Sequence, residues 1–318
     1  MSLAGKILYS FYYGPKSRRA IIKNFGGKRN YQAIQKGEAD MKMYAFNNLI
    51  FTNKNERQPK YQLNYLTGEK YLHQSLFCAF SFYEFLSPEA RPDFLINFYD
   101  DGSLCPSTLD MLKTNFPSIH VISSEHTAQK FNRLLPADKY PHLHKKRAMY
   151  PHIRKLTDIH LGSQGWQLVL DSDMLFFDRP SQLLAWLKKP EAPFLLFDPI
   201  SSYHYSFGLM EGLTGNTVHP HLNVGIAGLK SEDINWDQVE HWIAALEKKE
   251  GTSYLLEQAL TAMLCAGKEI IIADKDQYLV KPDKKDVEHL QTTLHHYVAE
   301  SKEWYYKMAW KHIINDNR

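Results

Sequence analysis

From residue 61 onward, short apolar runs alternate with stretches of helical period, and several runs end in clusters of Asp, Gly or Ser. A strand is predicted to finish at Tyr65-Leu66-Thr67-Gly68, followed by an apolar helix over 73–86 that Pro88 closes. The next strand, 94–99, opens into Asp100-Asp101-Gly102-Ser103, and a helix over 107–115 and a strand over 119–122 come after it. A helix over 145–161 leads into Trp166-Gln167-Leu168-Val169-Leu170, which runs on into Asp171-Ser172-Asp173. A strand at 194–197, an apolar segment at 222–229, helices at 236–248 and 254–266 and a strand at 269–273 precede a His-rich, aromatic tail. Strands separated by helices predict βαβ units, hence an α/β fold with a mostly parallel central sheet whose ligands collect at the carboxyl ends of the strands.

Residues 1–60 follow a different pattern. Basic and polar clusters (Lys16-Ser17-Arg18-Arg19, Gly26-Gly27-Lys28-Arg29) interrupt weak apolar periods, and the stretch 41–52 carries helix and strand signals at once. This part is read as an accessory N-terminal segment, with one α/β domain over 61–318. A length of 318 residues suffices for a substantial core. Thirty-eight Lys and Arg against 35 Asp and Glu leave a net charge of +3, which gives no electrostatic ground for nucleic-acid binding, so an anionic ligand must be met locally. Cys78, Cys105 and Cys265 are few and widely spaced, as in a reduced cytosolic protein. The first 14 residues lack the apolar core of a signal peptide, and no apolar run approaches the ~20 residues of a membrane span. A cytoplasmic protein is expected, any membrane contact being peripheral.

Asp171 and Asp173 follow a buried-looking strand, which should deliver both carboxylates to the sheet's carboxyl edge; paired acids there suit a hard divalent cation that also takes phosphate oxygens. A turn or helix-cap pair is the plainer alternative. Neutralising one of two adjacent acids should raise stability slightly. His295 and His296 stand near the C-terminus, and an imidazole can complete a site with two carboxylates, while Lys302 can hold phosphate as a point charge.

With these residues in order, the chain resembles glycosyltransferase family 8. The family's Asp-x-Asp is matched by Asp171-Ser172-Asp173, its Asn-x-Gly by Asn223-Val224-Gly225, its acidic-Gln pair by Glu257-Gln258, and its terminal His-x-x-Gly-x-x-Lys-Pro-Trp by His296 through Lys302 to Trp304. Ala299 stands where the family has Gly, Glu303 where it has Pro, and Glu257 where Asp is usual. The resemblance implies a GT-A (Rossmann-like) fold and a metal-dependent transfer of a hexose from a nucleotide-diphosphate sugar, a UDP-sugar by family, to a carbohydrate, lipid-linked or protein acceptor, with retention of configuration. It further implies Mn²⁺ or Mg²⁺ on Asp171, Asp173 and His296, and a donor contacted by Thr67, Asp100, Asp101, Arg154, Ser172 and Lys302. Asn223, Glu257 and Gln258 would line the reacting sugar, and the tail would fold over the donor. The aromatic stretch 202–207 is a candidate acceptor loop.

Two other readings compete. The strand ending in Asp171-Ser172-Asp173 also resembles the nucleophile strand of haloacid-dehalogenase-type phosphatases, in which Asp171 would be phosphorylated; alternatively, the chain binds nucleotide sugars without turning them over.

Overall fold

The computed structural model describes residues 14–51, 58–201 and 203–315. Residues 1–13, on which the absence of an export signal was read, the polar stretch 52–57 and Ser202 of the candidate acceptor loop lie outside them.

Two helices open the described chain, α1 (Gly14–Asn24) and α2 (Lys28–Asn48), separated at Gly26 and Gly27, whose φ of +72° and +109° suit glycine. The ambiguous stretch 41–52 is therefore helical as far as Asn48. Helix α2 buries Ile34, Gly37, Met41 and Ala45, a three-and-four spacing that makes one continuous face. That face packs on α3 (Leu72–Glu84), which is buried along most of its length, and on the C-terminal tail.

The central sheet has seven strands in the order β3-β2-β1-β4-β7-β6-β8. They are β1 (Tyr61–Thr67), β2 (Phe94–Asp100), β3 (Ile119–Ile122), β4 (Trp166–Leu170), β6 (Phe194–Phe197), β7 (Leu222–Lys230) and β8 (Ile271–Ile272). Only β7 runs against the others, pairing antiparallel with both β4 and β6. The mostly parallel α/β sheet expected from the pattern is present. The chain steps outward from β1 to β2 and β3, then returns to place β4 on the other side of β1. That reversal is the switch point at which open α/β sheets bind ligands, and Thr67 and Asp171 close it at the strands' carboxyl ends.

Three departures from the sequence reading matter for the site. The helix expected over 145–161 is broken into Pro141–Met149, a 3₁₀ turn Pro151–Ile153 and a short helix Arg154–Thr157. Pro151 has no N–H to donate and holds Tyr150 in an extended conformation (φ −134°, ψ 90°). Next, β4 stops at Leu170, so Asp171-Ser172-Asp173 is a turn rather than strand; it carries the chain from the central sheet into β5 (Met174–Phe176) of a second sheet. Lastly, the tail contributes strands to that second sheet, which the pattern did not predict; there β10 (Leu294–His296) lies between β5 and β9 (Tyr278–Val280). Among the described residues no helix is long and apolar enough to cross a membrane.

Candidate active site

Asp171, Asp173 and His296 are brought together by three different constraints. The Asp171 amide donates to the carbonyl of Gly225 (2.7 Å), which ties the turn to β7. The Tyr297 amide donates to the carbonyl of Asp173 (2.8 Å), and His296 pairs with Met174, so β10 is locked to the end of the same turn. The result sets His296 Nε2 at 3.6 Å from Asp171 Oδ2 and 3.4 Å from Asp173 Oδ1, with one ligand atom from each residue within 4.8 Å of the others. Alternation along β10 sends His295 to the opposite face, where its ring bonds Thr292 (2.8 Å) and the Tyr297 hydroxyl (2.9 Å) and is fully buried.

The Asn-x-Gly motif explains itself at this point. Opposite β6, the pairing jumps from Ala227 to Asn223 within one step of the partner strand, so residues 224–226 form a bulge, the device by which strands re-aim side chains beside functional sites. Asn223 Oδ1 accepts from the Gly225 amide (2.9 Å) and faces His296 Nδ1 (3.1 Å). A Cβ on Gly225 would overlap the His296 ring. Because the amide oxygen only accepts, Nδ1 donates to it and Nε2 is the ring nitrogen that faces the two carboxylates. Asn223 Nδ2 in turn donates to Asp198 Oδ2 (3.3 Å), as does Gln258 Nε2 (3.1 Å).

Two lysines balance the acids. Lys302 Nζ donates to Asp173 Oδ2 at 2.7 Å, and Lys155 Nζ stands 2.5 Å from Asp171 Oδ1 and 3.5 Å from Glu257 Oε2. Burial by itself would raise the Asp173 carboxyl, but Lys302 and His296 outweigh it and hold that group far below the usual carboxylate range. Burial likewise opposes charge on Lys155, yet Asp171 and Glu257 more than compensate, so the ammonium is held above its ordinary value. Glu257 goes the other way: burial pushes its carboxyl up to about 7 against the pull of Lys155.

All of this lines one cleft of about 640 Å³. Of the residues singled out from sequence, Thr67, Asp101, Asp171, Ser172, Asp173, Asn223, Glu257, Gln258, His296 and Lys302 line it. Asp100 and Arg154 are spent on the turn instead. The Asp100 carboxylate accepts from the amides of Gly102 (2.8 Å) and Leu104 (3.2 Å), and Arg154 Nη1 donates to the Asp101 carbonyl (2.5 Å). The break at Pro151 turns Lys155 into the cleft in place of its neighbour, which an unbroken helix could not reveal. Asp198 was also missed, although it follows the apolar strand β6 just as Asp171 follows β4. The aromatic stretch folds inward: Tyr203 and Tyr205 are buried, and their hydroxyls donate to the carbonyls of His219 (2.5 Å) and Gly251 (3.1 Å). Exposed apolar groups at the rim come from elsewhere, namely Tyr71, Ile200 and Tyr254.

No protein-family model matches the chain, and no curated protein matches it in sequence. Solved structures do match in fold. Mouse xyloside xylosyltransferase 1 in its apo form superposes with a TM-score of 0.50 at 11% identity, over 76% of this chain and 98% of its own. The galactosyltransferase LgtC, solved with donor and acceptor sugar analogs, superposes with a TM-score of 0.50 at 13% identity, over 80% of this chain and 94% of its own. At such identities the likeness concerns architecture and leaves chemistry to the site. The chain has the GT-A fold of these glycosyltransferases.

Proposed function

We propose that the protein is a divalent-metal-dependent glycosyltransferase that takes a hexose from a nucleotide-diphosphate sugar, a UDP-sugar by family resemblance. The observation that carries this reading is the convergence of Asp171, Asp173, His296 and Lys302, drawn from two sheets and the tail, at the switch point of the central sheet. The donor set fits a cation: one imidazole nitrogen and two carboxylates converge, with one ligand atom from each within 4.8 Å of the others. Mn²⁺ or Mg²⁺ there would supply Lewis-acid stabilisation of the charge that develops on a diphosphate leaving group.

The chain's own residues do the rest. Lys302 stands beside the carboxylate cluster, where its ammonium can form charge-assisted bonds to phosphate oxygens. Thr67, Asp101 and Tyr71 line the cleft and would meet the nucleoside; Asn223, Glu257, Gln258 and Asp198 also line it and would meet the sugar. Asn223 acts through His296, by fixing which ring nitrogen faces the carboxylates. Lys155 bridges Asp171 and Glu257 and keeps both in place. An acceptor, whether carbohydrate, lipid-linked or protein, enters past Ile200 and Tyr254, which are 57% and 71% exposed. By family resemblance the anomeric configuration is retained.

The test is a thermal-shift screen of nucleotide sugars with MnCl₂, followed by assay of nucleotide release. A donor at about 100 times its Kd should add about 2.7 kcal/mol of stability, and EDTA should abolish the gain. Stabilisation without turnover over a broad acceptor panel would replace the transferase by a nucleotide-sugar binding protein. Phosphate release from p-nitrophenyl phosphate that requires Asp171, with no response to nucleotide sugars, would replace it by a phosphatase.

A further inference from the structure

Helix α2 bears directly on the segment that carries Lys302. Gly37 lies on its buried face, and a Cβ placed there would overlap the carbonyl of Tyr306. The helix and tail backbones meet at that point because glycine leaves the space. Polar ties flank the contact. Lys307 Nζ donates to Asn30 Oδ1 of α2 (2.8 Å) and to Glu303 Oε1 (2.9 Å). The Tyr306 hydroxyl accepts from Gln74 Nε2 (2.6 Å), whose residue lines the cleft, and the nearby Glu38 carboxylate of α2 adds to burial in raising that hydroxyl's pKa. Trp310 Nε1 donates to the Tyr306 carbonyl (2.9 Å), and its ring packs against Tyr44 of α2 at 6.0 Å and Phe77 of α3 at 5.6 Å.

Lys302 lies about one helical turn before Tyr306. It opens the short helix Lys302–Trp304, which continues into a π-helix, Tyr305–Ala309; such wide turns recur at functional sites. An ammonium on a flexible stem has no geometry of its own to enforce, so its reach is set by the backbone beneath it. Here that backbone is fixed by α2.

We propose that α2 is a working part of the donor site: seated on Tyr306 through Gly37, it positions the Lys302 ammonium for the diphosphate of the donor. The inference rests on the nucleotide-diphosphate reading of the cleft. Gly37 is a positioning residue, and its effect must pass through Lys302.

The experiment is a double-mutant cycle of Gly37→Val and Lys302→Ala, read by calorimetric titration of UDP and of uridine, each with MnCl₂. Gly37→Val should weaken UDP at least about tenfold while leaving uridine within about twofold, and it should cost UDP nothing more once Lys302 is alanine. Equal losses for UDP and uridine, or additive losses in the cycle, would overturn the proposal. Hydrogen exchange of the ligand-free proteins supplies an independent arm. Gly37→Val should speed exchange over 300–310 while β1 and β4 stay protected, and unchanged exchange over 300–310 would also overturn it. If the wild type binds no UDP, the donor reading fails on its own and this arm still decides whether α2 positions the tail. Should Gly37→Val not fold, the truncations Asn30→Ala and Glu38→Ala together, which introduce no clash, should give the same selective loss at about threefold; no loss would count against the proposal.

Discussion

Gly225→Ala adds a single methyl at the most crowded point of the site. The new Cβ would overlap the His296 ring and lie 3.0 Å from Asn223 Oδ1, tighter than ordinary van der Waals contact. Neither neighbour can yield freely. His296 is 2% exposed in the central strand of its sheet, and the Asn223 amide is held at both ends, by Gly225 N and by Asp198. Overpacking of this kind costs about 1–3 kcal/mol. Turning the imidazole away from the carboxylates should weaken Mn²⁺ binding about 10–100-fold, the range for disturbing a ligand's support. Differential scanning calorimetry of the apo protein and titration with MnCl₂ read the two effects separately. In the double variant Gly225→Ala/His296→Ala the ring is gone, so the methyl should add no further destabilisation and no further loss of Mn²⁺. Unchanged Mn²⁺ affinity in Gly225→Ala, or a stability cost that persists undiminished in the double variant, would refute the reasoning.

Other outcomes follow from the same geometry. Asp173→Asn should abolish Mn²⁺-dependent UDP binding and lower apo stability by about 1–2 kcal/mol, because the lost carboxylate pairs with Lys302; this reverses the slight gain expected from two repelling acids, and a raised melting temperature would contradict it. Ala299 holds φ = 49° where the family has glycine, so Ala299→Gly should be neutral or stabilising by up to about 1 kcal/mol, the relieved strain exceeding the added unfolded-state freedom; a loss beyond about 1 kcal/mol would show that no strain was held there. His160 and His295 are held neutral by burial, each lowered to about 3 from 6.5, with Lys130 adding to the effect at His160. The unfolded chain takes up these protons first, so stability present above pH 6.5 drains away as pH falls toward 3. Each should cost about 2 kcal/mol by pH 5, and urea midpoints of the apo protein at pH 7 and pH 5 that coincide would contradict this.

The strands of the central sheet were legible as apolar runs cut off by polar turn residues, the stops at which open α/β sheets gather ligands, whereas the short strands of the second sheet were not read. Asp171 was found by that logic and Asp198 yields to it as well, whereas Thr67 and Asn223 were named from the family resemblance. What sequence could not show is how remote segments meet. Nothing local to 294–296 says that it pairs with 174–176, a contact 120 residues away that turns His296 toward the acids and His295 into the core. One proline decided the cleft lysine: Pro151 breaks the helix and rotates Lys155 inward, while Arg154 supports the turn at Asp101. The basic patches of the first 60 residues hid the apolar stripe of α2, since Gly37 carries no side chain to register in a hydrophobic pattern. Ala299 teaches a complementary lesson, for an alanine gives no signal in the sequence of the left-handed backbone it holds at φ = 49°.

The central claim is that Asp171, Asp173 and His296 hold a divalent cation through which a nucleotide diphosphate is bound. Titration calorimetry of UDP into the wild-type protein, with MnCl₂ and then with EDTA, tests it most directly. The account requires binding with Mn²⁺, its loss with EDTA and in His296→Ala, and markedly weaker binding of UMP, which lacks the second phosphate. Equal affinity for UDP in Mn²⁺ and EDTA, or equal affinity for UDP and UMP, would contradict it.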